Sequence, residues 1–292
     1  MRLLILIATN LAVSLLLGVV FLGLEIAGVL PEGQWAGLFV MATVFGFGGS
    51  FVSLLLSKII AKWSMGVHVI EAPRSQSEAW LVQTVHAHAS RAGIGMPEVG
   101  IYDSDDPNAF ATGWSRNNAL VAVSTGLLNA MRPEQVSAVL GHEVAHVANG
   151  DMVTLTLVQG VLNTFVIFFS RVIGTVVDTA LSGGDRERSR GGIGYIITVT
   201  IAQIVLGLGA SLIVARFSRY REFRADAGGA SLTSPRDMAG ALDALRRAGD
   251  ESQLPQSMTA FGIRGGNIAK LFASHPPLEE RIARLMGARP HG

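Results

Sequence analysis

Four stretches of this chain carry no Asp, Glu, Lys or Arg: Leu3–Leu24 (22 residues), Trp35–Leu56 (22), Thr154–Ser170 (17) and Ile193–Ala215 (23). A helix rises about 1.5 Å per residue, so about 20 apolar residues cross a hydrocarbon core about 30 Å thick. The first, second and fourth stretches meet that length. The third is short because Arg171 interrupts it before the apolar run resumes at Val172–Val177, and Arg171 must snorkel to an interface or face other helices. Only 45 of the 292 residues are charged, against about a quarter in ordinary soluble proteins. The 208 residues outside the four stretches hold all 45, which is close to that ordinary proportion. The reading is about four transmembrane helices joined to a conventional polar domain.

Alternatives exist for these stretches. A cleaved signal peptide competes for the first, but its apolar run exceeds the usual 7–15 residues and no A-x-A site follows at Glu25-Ile26-Ala27-Gly28. A buried hairpin in a large soluble core competes for the third and fourth. Gly207, Gly209 and Ser211 suit close helix packing in either setting. Basic residues set the orientation. Arg2 precedes the first stretch and Lys58, Lys62 and Arg74 follow the second, which places both regions in the cytoplasm. Arg216, Arg219, Arg221 and Arg224 agree, whereas Arg186, Arg188 and Arg190 between the last two stretches dissent. A formal net charge of +1 without a basic block argues against nucleic-acid binding, and the absence of Cys excludes disulfides and thiolate metal sites.

The polar remainder reads as mixed structure. Ser77–Ala92 has the pattern of an amphipathic helix closed by Gly93. Glu98–Tyr102, Ala109–Thr112 and Ala119–Ser124 read as short strands between Asp, Asn, Gly and Pro turns. Pro133 opens a helix running to about Ala148, with Asn149-Gly150 as its C-cap. Helices are also expected over Pro235–Ala248 and near Leu278–Met286, with a loosely patterned Gly249–Gly266 between them. The expected parts are 1–57, an N-terminal transmembrane hairpin; 58–152, a first catalytic part; 153–216, a second hydrophobic hairpin; and 217–292, a second catalytic part.

Gly141-His142-Glu143-Val144-Ala145-His146 contains H-E-x-x-H. On a helix, positions i and i+4 share a face, so His142 and His146 can present imidazoles to one zinc ion. Glu143 lies beside that face as a general base, and zinc brings the pKa of a coordinated water from 15.7 to about 7. A surface helix that matches by chance is the competing reading. A catalytic zinc takes three protein ligands, and without Cys the third must be His, Asp or Glu. Glu222 is the leading candidate. Asp226, at i+4, can hold the ring N–H of a ligand histidine. The bland alternative pairs both acids with neighbouring arginines. His146 lies eight residues before Thr154, about 12 Å along a helix, and Glu222 seven after Ala215, about 10.5 Å. An antiparallel hairpin would therefore bring both ligand sites out on one side at similar heights.

These residues, taken in order, resemble the HtpX-type membrane zinc metalloproteases, relatives of the CAAX prenyl endopeptidases. The resemblance spans nearly the whole chain: two N-terminal apolar spans, Pro107-Asn108-Ala109-Phe110-Ala111-Thr112-Gly113, the H-E-x-x-H run continuing to Asn149-Gly150-Asp151, Glu222-Phe223-Arg224-Ala225-Asp226, and Ser274-His275-Pro276-Pro277. It implies a gluzincin-like zinc protease domain on a membrane anchor, with His142, His146 and Glu222 as ligands of one Zn2+ and Glu143 as base. It also implies that Asn108–Gly113 receives substrate as an added strand, through contacts at Asn108 and Ala109. His275 resembles the family's downstream active-site histidine, with helix capping as its alternative role. Arg281 resembles its active-site arginine, with a surface pair near Pro277–Glu280 as the alternative. His86 and His88, two apart, read as solvated rather than as ligands.

The resulting expectation is an α+β membrane protein, mostly helical, whose protease domain contains a small β-sheet. Its implied work is cleavage of damaged, misfolded or unfolded membrane proteins at the bacterial inner membrane, from the cytoplasmic face. A CAAX-type prenyl-protein endopeptidase would use the same chemistry on a lipidated C-terminus. A non-catalytic zinc-containing scaffold or chaperone would have no need of Glu143.

Overall fold

The computed structural model describes residues 35–181, 192–251 and 275–287. The Leu3–Leu24 stretch, the 185–190 loop, residues 252–266 and His291 lie outside them. Three helices among the described residues are long and apolar enough to cross a membrane: Gly37–Ser64, Asp151–Leu181 and Ile193–Leu232, of 28, 31 and 40 residues. Arg171 does not end the third stretch. Its side chain turns back to the Ile167 carbonyl at 3.3 Å, so the helix continues to Leu181. The polypeptide divides into two compact units, one of Met1–Ser53 with Thr156–Val214 and one of Leu54–Leu155 with Ala215–Gly292.

In the first unit, α1 (Trp35–Thr43) passes through a π-helical turn, Val44–Gly48, into α2 (Gly49–Ser64). The rest comes from α6 (Asp151–Leu181) after Leu155 and α7 (Ile193–Leu232) before Ala215, while the other ends of these helices, and α2 from Leu54 on, belong to the second unit. Ala42 and Phe168 are fully buried at its centre, with Phe39 edge-on to Phe168 at 6.5 Å. Among the described residues, nothing lies within 4 Å of a Cβ built at Gly207 or Gly209. The tight approaches are at Gly46 against Thr164, Gly160 against Phe47 and Gly174 against Val199 and Tyr195. Instead, Ile201, Ile204, Val205 and Leu208 stand exposed on α7, as a lipid-facing helix requires.

The second unit is built on a four-stranded sheet in the order β1 (His68–Val69), β2 (Glu98–Tyr102), β4 (Asn118–Ser124), β3 (Ala109–Ser115). Strand β2 pairs parallel with β4, whereas β1 with β2 and β3 with β4 pair antiparallel. Strand β4 reads Ala-Leu-Val-Ala-Val because it is central and buried on both faces. On one face, Val99, Val121 and Val123 pack with Leu81 and Val85 of α3 (Gln76–Ala92), Leu127 of α4 (Thr125–Ala130), Val139, Leu140 and Val144 of α5 (Pro133–Asn149), and Met238 and Leu242 of α8 (Pro235–Glu251). Tyr102, Leu120 and Ala122 form a smaller core on the other face with Val67, Val69 and Phe110. Ser75 caps α3 by accepting from the Glu78 N–H, and Gly93 closes it in the left-handed conformation. The two-residue β1 and the one-and-a-half-turn α4 are too short to show periodicity in the sequence. His88 corrects an expectation: it is buried, with Nε2 3.0 Å from the Ser137 carbonyl of α5, while His86 is exposed.

The C-terminal end of α2 is fastened to the sheet. Lys58 and Lys62 reach the two Glu98 carboxylate oxygens at 2.8 and 2.5 Å. Burial works against the charged carboxylate, but the two ammonium groups outweigh it and hold its pKa below the ordinary value of 4.5. A depressed carboxylate stabilises the fold above its unfolded pKa, and that contribution disappears as pH falls through the folded value. Glu98→Gln should therefore lower the thermal midpoint in detergent at neutral pH. The gap to wild type should close as pH falls below 4.5, and a gap independent of pH would discount the ion pairs.

Candidate metal centre

The site begins with the way α5 ends. Pro133 occupies its first turn, where no N–H is needed, and the Gln135 side chain accepts from the Arg132 N–H at 3.0 Å. Gly150 takes φ +68°, a conformation costly for other residues, and stops α5 so that α6 starts afresh at Asp151. Helix α7 then crosses α5 at very short range. A Cβ at Gly228 would lie 2.6 Å from the Ala145 Cβ, and one at Gly229 would lie 3.0 Å from the His142 nitrogen. Only glycine permits this approach, and it brings Glu222, about two turns earlier on α7, and Asp226, less than one turn earlier, up to the histidines.

His142, His146 and Glu222 offer ligand atoms that all lie within 4.8 Å of one another. The two imidazole Nε2 atoms are 3.1 Å apart. Glu222 Oε1 is 3.3 Å from His146 Nε2, and Oε2 is 3.5 Å from His142 Nε2. Donors arranged tetrahedrally at about 2.1 Å from one ion stand about 3.4 Å apart. The spacing fits a metal. Two Nε2 atoms at 3.1 Å cannot both carry a hydrogen, so at least one bare lone pair points into the site. Glu222 Oε2 is buried and receives no well-aligned hydrogen bond, which leaves it free to bind a cation.

The far side of each ring faces its own carboxylate. His142 Nδ1 is 3.0 Å from Asp226 Oδ1, and His146 Nδ1 donates to Asp151 Oδ2 at 2.8 Å. This places the ring protons on Nδ1 and turns the Nε2 lone pairs inward. Arg281 of α9 (Leu278–Leu285) is 6% exposed and grips Asp226 with two bonds, Nε to Oδ2 at 2.8 Å and a terminal nitrogen to Oδ1 at 2.6 Å. It is buried against the carboxylates rather than paired on the surface, and another terminal nitrogen lies 3.3 Å from Glu222 Oε2. His275 stands at the open side, two-thirds exposed, with Nδ1 3.0 Å from Glu222 Oε2. Glu143 is half-buried, and its charge acts on both histidines.

Burial alone would lower the pKa of both imidazoles. The carboxylates outweigh it, raising His142, and raising His146 to about 9 with Asp151 as the leading cause. The pocket is thus built to hold positive charge.

The sequence profile described as Peptidase family M48 matches residues 75–289, a span that includes every residue of this site. The chain belongs to peptidase family M48. Protease HtpX of Stenotrophomonas maltophilia is 56% identical over 284 residues, covering 97% of each chain. Protease HtpX of Thioalkalivibrio sulfidiphilus is 55% identical over 291 residues, covering 97% of this chain and 98% of that one. The crystal structure of S. mikatae Ste24p aligns with a TM-score of 0.63 over 97% of this chain and 67% of that one. At 19% identity it shows the same fold. Together with its apolar helices, this makes the chain a membrane metalloprotease.

Of the remaining named residues, Ala109 opens β3, the sheet edge, and Asn108 immediately precedes it. Asn108 is engaged through its backbone: its N–H donates to Ser124 Oγ at 2.9 Å, and its carbonyl accepts from the Ser124 N–H at 2.9 Å. Ala109 follows, paired with Val123. Asp151 was not among the residues singled out from sequence. It sits at i+5 from His146, off the helical face, and only the Gly150 break carries it back to the ring. Arg221 packs beside it, donating to its carbonyl at 3.4 Å. In this M48 protein, Asp151→Asn should weaken metal binding by about 10- to 100-fold, the usual effect of losing a carboxylate behind a ligand histidine. Chelator competition measures this, and unchanged affinity would remove Asp151 from the site.

Proposed function

We propose that the protein is a zinc-dependent endopeptidase of the bacterial inner membrane, with its active site facing the cytoplasm, that cleaves damaged or misfolded membrane proteins and unfolded polypeptides. The observation that carries this reading is the convergence of two imidazole nitrogens and a buried carboxylate beside Glu143. Two imidazoles and one carboxylate are the donor set of catalytic zinc sites with an open fourth position. When bound, zinc acidifies water and polarises the scissile carbonyl.

Each protein group then has a task. Glu143 takes the proton of the attacking water and returns it to the leaving amine. His142, His146 and Glu222 hold the ion, while Asp226, gripped by Arg281, and Asp151 fix the two rings. His275, at the open side, is positioned to donate to the oxyanion that forms on the substrate carbonyl. Among the described residues β3 is bonded to β4 along one edge only, which supports Asn108–Gly113 as the segment that takes up substrate as an added strand. The four-span arrangement, with catalytic parts at 58–152 and 217–292, belongs to the same proposal.

Purified Glu143→Ala should lose proteolysis of a model membrane substrate by at least about 100-fold, the usual share of a general base, with its zinc content unchanged. Glu222→Ala should lose the zinc as well. Retained cleavage in the first variant would strike out the base, and full metal occupancy in the second would reassign the third ligand.

A further inference from the structure

The span Gly37–Ser64 does not end where its charges begin. Its uncharged stretch stops at Ser57, yet Lys58 and Lys62 lie on the side of α2 that also carries the buried Leu54. Both are turned onto Glu98, and the Lys58 side chain is only 14% exposed. The opposite face, Leu55, Leu56, Ile59, Ile60 and Trp63 at helical spacing, is exposed throughout and stays apolar to Trp63, past both lysines. Trp63 is 87% exposed.

The same bonds fix which end of the sheet lies beside this helix. Lys58 also donates to Asn118 Oδ1 at 2.7 Å, at the start of β4. The neighbouring Asn117 accepts from the Gly95 N–H at 2.9 Å. Arg116, in the same turn, donates to the Ala148 carbonyl, at the point where α5 gives way to α6. The β3–β4 turn is therefore held both to the end of one spanning helix and to the start of another. Two large apolar side chains flank it in the open: Met96 at 43% and Trp114 at 46% exposure.

We propose that this end of the sheet rests in the bilayer, with Ile59, Ile60, Trp63, Met96 and Trp114 forming one lipid-contacting rim at the boundary between headgroups and acyl chains. Trp is suited to that layer, having an apolar body and one N–H donor. The rim is continuous with a membrane span, and the only cations on that stretch of α2, Lys58 and Lys62, are withdrawn onto Glu98. The edge strand β3, which ends at this rim, consequently has that end at the membrane surface. Resting on the peptidase reading, this deepens it: the substrates are segments of membrane proteins just outside the hydrocarbon core, which reach β3 at that end.

The chain contains no cysteine, so single substitutions report one position each. Trp63→Cys, Met96→Cys, Trp114→Cys and, as a control at the far end of α5, Glu134→Cys would each carry a nitroxide in the full-length protein. The proteins would be placed in phosphatidylethanolamine–phosphatidylglycerol vesicles, and collision rates with oxygen and with a water-soluble nickel chelate measured. At 63, 96 and 114, oxygen should dominate over nickel, with the ratio reversed at 134. A water-like ratio at 96 and 114 would overturn the rim. So would shielding from both reagents, which would mean that another protein copy covers it. The measurement does not depend on cleavage, so it can fail while the peptidase reading stands, and the reverse.

Discussion

Three carboxylates, Asp151, Glu222 and Asp226, are each 2% exposed within one small volume, and the rest of the catalytic unit is arranged around that cost. Buried anions are tolerated only when cations and hydrogen bonds compensate them. Arg281 answers Asp226, Arg221 packs at Asp151, and the two imidazoles take up the remainder. The raised histidine pKa values express the same demand for positive charge. His142, His146 and Glu222 form a group that could hold a metal ion, one ion satisfying all three donors at once.

Holding that cluster together is a packing problem solved by helix ends and glycines. Gly150 separates the histidine-bearing helix from the apolar helix after it, so that Asp151 folds back onto His146. Gly228 and Gly229 let α7 press against α5 close enough for Glu222 and Asp226 to reach the rings. Helix α9 is clamped onto α7 through Arg281 and through Arg284, whose guanidinium stacks 3.7 Å over Phe223. The protease unit thus takes parts from two distant segments of the chain, and long apolar helices run between them.

Much of this was legible in the residues. H-E-x-x-H carries its own geometry because helical periodicity puts i and i+4 on one face. Charge-free length reports a spanning helix because the bilayer thickness is constant. Strand β2 and helix α3 were readable to within a residue because their caps and alternation are local. By contrast, β1, α4 and the buried state of His88 depend on partners far away in the chain. Gly207 and Gly209 could not decide the setting, because a small residue permits a close approach without causing one, and among the described residues nothing lies within 4 Å of a Cβ built at either.

The sequence by itself determined which side chains could do the chemistry, which stretches belong in lipid and which family the chain resembles, since all three follow from residue type and short-range spacing. Only the tertiary structure decided that Asp151 serves His146, that Arg281 is buried on Asp226 rather than exposed, and that the lysines of α2 are spent on Glu98. Those pairings join residues up to 55 positions apart, from Asp226 to Arg281. They are selected by the cost of leaving a buried charge alone, a quantity that no local pattern contains.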